Sequence, residues 1–229
     1  MVADDSSVRI MDILDERLRG ALEGLGSLVH FDAGQTIFWE GQPSRSVLII
    51  REGHLKVTRH AADGTEVILG IFGPGEVMGD EGALMDEPRS AKVTTITAVI
   101  GLDISAEQLL DFVEQQHLWP LMYRAVVQRR RQMSQRVLLS NLDVKGRLAD
   151  WLLHLAKEVG RETEQGWVLE TTLSQQDLAA RIGASRDAVA IELRRLRESK
   201  LVSTGRRRLV LHDLEALRRL SSEDRWSHR

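Results

Sequence analysis

"LSQQDLAARIGASRDAVAIELRRLRESKLV", residues 173–202, decides how this chain is built. Ser174 stands where a helix N-cap belongs, and Asp177 follows three residues later, close to a capping box. Leu178, Ala179 and Ile182 then form one apolar side. Gly183 permits a tight turn, and Ser185 opens a second helix whose Val189, Leu193 and Leu196 pack inward. Two short helices joined by a glycine-containing turn read as a helix-turn-helix.

That inward stripe leaves Arg186, Asp187, Ala190, Ile191 and Arg194 facing outward. An arginine near such a helix start reaches a guanine edge with two hydrogen bonds, worth ~1–3 kcal/mol of discrimination. Asp187 can accept from a cytosine amine or orient Arg186. Ile191 has no hydrogen-bonding group and could only touch a thymine methyl. Ser174, Gln175 and Ser185 sit at helix starts, where hydroxyls, amides and backbone N–H groups meet phosphate. "LVSTGRRRLVLHD" then reads as a hairpin with Gly205 at its tip and Arg206–Arg208 beside it, a basic wing.

Charge distribution points the same way. The 229 residues carry a net charge of −3, but residues 171–229 hold 13 Lys+Arg against 8 Asp+Glu, and the remainder 18 against 26. A basic terminal segment on an acidic body suggests a polyanion partner for that segment. Aromatic residues make up 4% and form no cluster for stacking unpaired bases, which argues against RNA. With no cysteine, disulfides, thiolate-bound zinc, cysteine-ligated iron–sulfur clusters and a cysteine nucleophile are excluded. The seven histidines form no ligand pair, and neither a nucleophile elbow nor a phosphate-binding P-loop occurs, so nothing favours an enzyme. No apolar run is long enough for a membrane span and the acidic start is no signal peptide, so a cytoplasmic protein is expected.

Upstream, "VRIMDILDERLRGALEGL" predicts one short amphipathic helix. From Leu28 to Ile104 the pattern becomes short alternating runs cut by glycines: "QTIFWEG", "SVLIIREG", "HLKVTRH", "TEVILGIFGPG", "AKVTTIT" and "AVIGLDI", with "ADG" at 62–64 as a hairpin turn. Such a series predicts an antiparallel sandwich or barrel. Ser105 caps a helix, "AEQLLDFVEQ". A long helix follows from 117 to 141, with Met122, Val126, Met133 and Val137 as a stripe that could pair with a symmetry mate. "DVKGRLADWLLHLAKEVG" is a further helix ending at Gly160, followed by a polar loop and a strand, "WVLETT". The domain expectation is 1–116, a β domain; 117–141, the long helix; and 142–229, the helix-turn-helix domain.

Within the β region, "GDEGALMDEPRSAKV" (residues 79–93) places Arg89 and Ser90 at the mouth of a strand, near a glycine-flanked helix start. The arrangement is either an anion pocket or a capped loop that binds nothing. At this point the chain resembles the cyclic-AMP receptor protein / FNR (CRP/FNR) family. The glycine-punctuated β domain, "G-[acid]…PRSA", the long helix, "LDVKGRLADWLL" and "SRDAVAIELRRLRESKLV" occur in that family's order. The resemblance implies an α+β fold with a β jelly-roll effector domain, a dimerisation helix and a C-terminal winged helix-turn-helix. It also implies a homodimeric regulator that binds double-stranded promoter DNA and meets RNA polymerase.

For the pocket, the resemblance implies that Gly79, Asp80, Glu81 and Gly82 line the helix start, with Asp80 toward a ribose hydroxyl. Arg89 and Ser90 would hold a cyclic phosphate. Departures qualify this: Asp80 is one methylene shorter than the family's glutamate. Gln132 and Met133 stand where its Thr-Ser pair meets adenine, and Gln128 where a ligand-facing arginine would be, beside Arg129–Arg131. Three readings stay open: cyclic AMP or a similar nucleotide in an altered pose, another anion such as a cyclic dinucleotide meeting "QRRRQ", or a vestigial pocket in an effector-independent regulator. On the DNA side, Ile191 occupies the place of the family's second reading arginine.

Overall fold

The computed structural model describes residues 10–60, 64, 66–127 and 143–223. They fall into two compact units. One runs up to Arg59 and resumes at Gly70; the other joins His60–Leu69 to the described residues from Asp143 on.

The expected first helix is two, α1 (Ile10–Ile13) and α2 (Glu16–Glu23). The break comes from Asp15, whose extended backbone and carboxylate cap α2 by accepting from Leu18 N at 2.8 Å. Arg19 Nε reaches back to the Met11 carbonyl at 2.9 Å, so the short α1 has a partner for its C-terminal end.

The β region follows as β1 (Ser27–Phe31), β2 (Thr36–Phe38), β3 (Ser46–Glu52), β4 (Leu55–His60), β5 (Glu66–Phe72), β6 (Val77–Met78), α3 (Asp80–Met85), β7 (Lys92–Thr95) and β8 (Val99–Ser105). β1 and β6 were not read from the sequence, β6 because two residues show no alternation. The "ADG" turn lies outside the described residues except for Gly64, whose φ is +82°. The strands form two four-stranded sheets, β1-β8-β3-β6 and β2-β7-β4-β5. "VLII" in β3 is buried on both faces. Leu48 and Ile50 pack with Phe38, Leu55, Met78, Val93 and Val99 from both sheets, while Val47 and Ile49 join a second core built with helices. A strand covered on both sides reads as a continuous apolar run, as this one does.

α4 (Ala106–Gln115) begins with a full capping box: Ser105 Oγ accepts from Gln108 N at 3.1 Å, and Gln108 Oε1 accepts from Ser105 N at 3.2 Å. The next helix, α5, is described over residues 119–127, with Pro120 in its first turn, where no N–H is needed. Here the expected stripe is corrected. Met122 is 8% exposed and packs with Leu118 and Ala125 into its own domain's core. The outward face carries Trp119, Tyr123 and Val126, spaced by four and three, which are 43%, 71% and 53% exposed. Met133 and Val137 lie outside the described residues.

The second unit opens with α6 (Val144–Val159), capped by Asp143 at 2.6 Å from Gly146 N and ended at Gly160. The expected polar loop is instead a hairpin of β9 (Gly160–Thr163) and β10 (Gly166–Glu170), because Gly166 takes φ +110° and Thr163 Oγ1 bonds its carbonyl at 2.8 Å. Then come α7 (Gln175–Ile182), α8 (Arg186–Glu198), β11 (Val202–Gly205), β12 (Arg208–Leu211) and α9 (Leu214–Glu223). The sheet order is β11-β12-β10-β9. Leu148, Leu152, Leu169, Leu193, Leu211 and Leu217, each 2% exposed or less, come from five of these elements and make the core. Trp151 of α6 has the Arg181 guanidinium 4.5 Å from its ring centroid and stacks with the His154 ring at 5.0 Å.

Candidate effector pocket and DNA-reading face

Arg89 is the centre of the first site. It is 6% exposed, and its guanidinium lies 3.7 Å from the centroid of Phe38. Nη1 donates to the Gly79 carbonyl at 3.0 Å and Nη2 to the Ser46 carbonyl at 2.5 Å. Its backbone is fastened as well: the Arg89 N–H donates to Gln42 O at 2.7 Å and Arg89 O accepts from Gly41 at 2.8 Å. Gly79, at φ +83°, is required by this arrangement, since a Cβ there would collide with Arg89 Nη1. Among the described residues Arg89 forms no ion pair. Burial pushes its pKa down, and the more distant carboxylates of Asp103 and Asp80 offset part of that.

The other predicted pocket residues surround this arginine unevenly. Ser90 is exposed, and its hydroxyl donates to Glu81 Oε2 at 3.2 Å. Gly82 is buried against Ser44, with no room for a side chain. Asp80, 7% exposed, turns inward and lines a void of about 10 Å³ with Leu14, Leu22 and Met122, space for one water at most. Gln132 and Met133 lie outside the described residues, as does "QRRRQ". Phe38 and the Ser46 carbonyl were missed by sequence reading, because neither belongs to a motif; only the fold brings them beneath Arg89.

The second site follows the sequence closely. Ser174 caps α7 in a complete box, with Asp177 Oδ2 accepting from Ser174 N at 2.8 Å. Its hydroxyl also donates to Asp177 at 2.7 Å. Gly183 makes the turn at φ +63°, and Ser185 Oγ accepts from Ala188 N at 3.1 Å. Val189, Leu193 and Leu196 are buried; Arg186, Asp187, Ile191 and Arg194 are exposed, and Ala190 is half-buried. None of those four exposed side chains has a hydrogen bond or ion pair among the described residues, nor have Arg206 and Arg207. By contrast Arg195 is held by Glu192 at 2.7 Å, Arg197 by Thr204 at 3.1 Å and Arg208 by Gln165 at 3.2 Å. The wing differs from expectation in detail. Gly205 pairs with Arg208 as the last residue of β11, and the turn is Arg206–Arg207, with Arg207 at φ +54°. Glu192, 9% exposed with Oε2 unpartnered, was not singled out, although its place between Val189 and Leu196 on the inward face could have marked it.

Residues 28–116 match the model of the cyclic nucleotide-binding domain, and residues 146–220 that of the Crp-like helix-turn-helix domain. A CRP-like cAMP-activated global transcriptional regulator of Mycobacterium tuberculosis is 34% identical over 165 residues, covering 70% of this chain and 73% of the relative. The chain belongs to the CRP/FNR family. Its fold agrees with a CRP-family transcriptional regulator of Thermus thermophilus, at a TM-score of 0.70 and 25% identity, over 85% of this chain and 96% of that one. A c-di-GMP responsive global regulator of Xanthomonas campestris gives 0.68 and 26%, over 87% and 100%. As a CRP/FNR member the chain is a DNA-binding transcription regulator, with a cyclic nucleotide-binding β domain and a helix-turn-helix domain. Among the described residues no helix is long and apolar enough to cross a membrane.

Proposed function

We propose that this protein is a homodimeric, sequence-selective regulator of promoter DNA whose affinity is set by a small anionic effector bound at Arg89. The observation that supports the DNA reading most directly is the row of exposed side chains on α8, Arg186, Asp187, Ile191 and Arg194, which like Arg206 in the β11–β12 turn have no hydrogen bond or ion pair among the described residues. Arg186 takes a guanine edge; Ser185, Gln175 and Arg206 take phosphates. The exposed Trp119, Tyr123 and Val126 favour pairing with a second copy along 117–141. Pairing lets two α8 helices enter successive major grooves about 34 Å apart.

The effector reading is favoured by a buried guanidinium with two carbonyl partners and, among the described residues, no carboxylate in contact. Such a group is electropositive and undercompensated, so an incoming phosphate gains from it. Ser90 would exchange Glu81 for the anion, and a cyclic nucleotide is the first candidate because the β domain matches that model. Binding there biases the connection near residues 142–144, with a coupling on the scale of ~1–3 kcal/mol. Promoter-bound in the cytoplasm, the dimer meets RNA polymerase.

A second reading has its own support: the bonds from Arg89 to Gly79 and Ser46 also describe a purely structural tie. Titration calorimetry with cyclic AMP, cyclic GMP and a cyclic dinucleotide separates the two, alongside duplex binding across a salt series. Saturable heat, lost in Arg89→Lys, supports the anion site. Silence from all three with intact selective DNA binding leaves the effector-independent regulator.

A further inference from the structure

We propose that Ile191 reads the C5-methyl group of a pyrimidine at one step of each operator half-site, so that this position responds to the methyl itself. The inference rests on α8 being the reading helix. Ile191 is 47% exposed at the middle of a face that is otherwise charged, with Asp187 one turn before it and Arg194 three residues after. It has neither donor nor acceptor, so beside a base edge it gains only from an apolar partner. In the major groove that partner is the methyl of thymine, the one apolar group among the base edges there.

The neighbouring side chains leave that contact open. Ala188 and Ala190 are small, so the flanks of α8 beside Ile191 are low. Arg195, which would otherwise sweep the same turn, is drawn aside by the Glu192 carboxylate at 2.7 Å. Arg197 is drawn to Thr204 of β11. Thymine and 5-methylcytosine carry the same C5-methyl at the same edge, so both sources present the recognised group.

The test begins with the full-length protein and duplexes selected from a randomised pool. Each thymine of the selected half-site is then replaced in turn by deoxyuridine, which removes the methyl and leaves every hydrogen-bonding group. At one position the dissociation constant should rise roughly fourfold, the value of burying one methyl group. Ile191→Ala should bind the thymine and deoxyuridine duplexes equally while still preferring the selected guanines. Cytosine and 5-methylcytosine placed at the same step should differ in the same sense and by a similar factor. A flat deoxyuridine scan, or an unchanged penalty in Ile191→Ala, overturns the inference and leaves the regulator reading standing. Failure of the pool to yield any selective duplex removes the regulator reading first, and this inference with it.

Discussion

Arg89 and Arg186 are the same residue placed in opposite surroundings. Arg89 is 6% exposed, stacked on Phe38 and bonded to two carbonyls, and its backbone is tied on both sides. Arg186 stands at the exposed start of α8 with no side-chain partner among the described residues. A ligand for Arg89 must compete with bonds already made; a ligand for Arg186 replaces only water. Arg89 is therefore coupled to the fold, and a ligand that took its guanidinium would have to displace those bonds. Arg186 has no such tie among the described residues, and its loss should leave the fold unchanged.

The largest effect that could break this contrast is at Gly79. Gly79→Ala adds a left-handed alanine costing ~1–2 kcal/mol and also expels the Arg89 guanidinium, so the β domain should lose about 3 kcal/mol in a denaturant melt. A loss below about 1 kcal/mol would show Arg89 to be less fixed than described. Arg186→Ala should lower binding to a selected duplex by roughly 10- to 100-fold. Its melting curve and oligomeric mass should stay those of the parent, and a shifted melt would erase the distinction between the two arginines.

Arg89→Ala leaves the Gly79 and Ser46 carbonyls without their donor and should cost ~1–3 kcal/mol of stability, where Arg89→Lys costs less. Either change should abolish effector heat while basal duplex affinity persists. Glu192→Gln sharpens the comparison further, because it removes the charge that holds Arg195 and lets that guanidinium reach a phosphate. The slope of log affinity against log salt should then steepen by about one, and an unchanged slope would show that Arg195 stays off the DNA. The smallest expected effect is in Ser185→Ala, about 1 kcal/mol from α8's lost cap, read as a lower melting midpoint.

The two regions were also unequally legible. In the helix-turn-helix, caps, turn glycine, inward stripe and outward face all lie within thirty consecutive residues, and local rules govern each. Ser174, Gly183, Ser185 and Leu193 therefore stand where periodicity and capping placed them. At Arg89 the motif named the residue but not its direction. Ser46 lies 43 positions away, and Phe38 and Gln42 also come from distant loops and strands, so only the assembled sandwich could show that the side chain turns inward. The rotation of α5 was misread for a related reason. Met122 and Val126 are four apart and look like neighbours on one stripe, but the docking of α5 onto its own domain buries Met122 and leaves Tyr123 beside Val126. Strand β9 is not legible in the sequence because Arg161, Glu162 and Thr163 are polar and its turn into β10 rests on one glycine.

Strand β3 has a consequence for how the β domain comes apart. Its even-numbered Leu48 and Ile50 belong to the core between the sheets, and its odd-numbered Val47 and Ile49 to the core beneath the helices. One backbone thus carries both cores, and neither can open while the other stays closed around it. Amide protons of residues 47–50 should exchange only through global opening of the domain, as the last to acquire deuterium, and the two cores should share one cooperative heat-absorption peak.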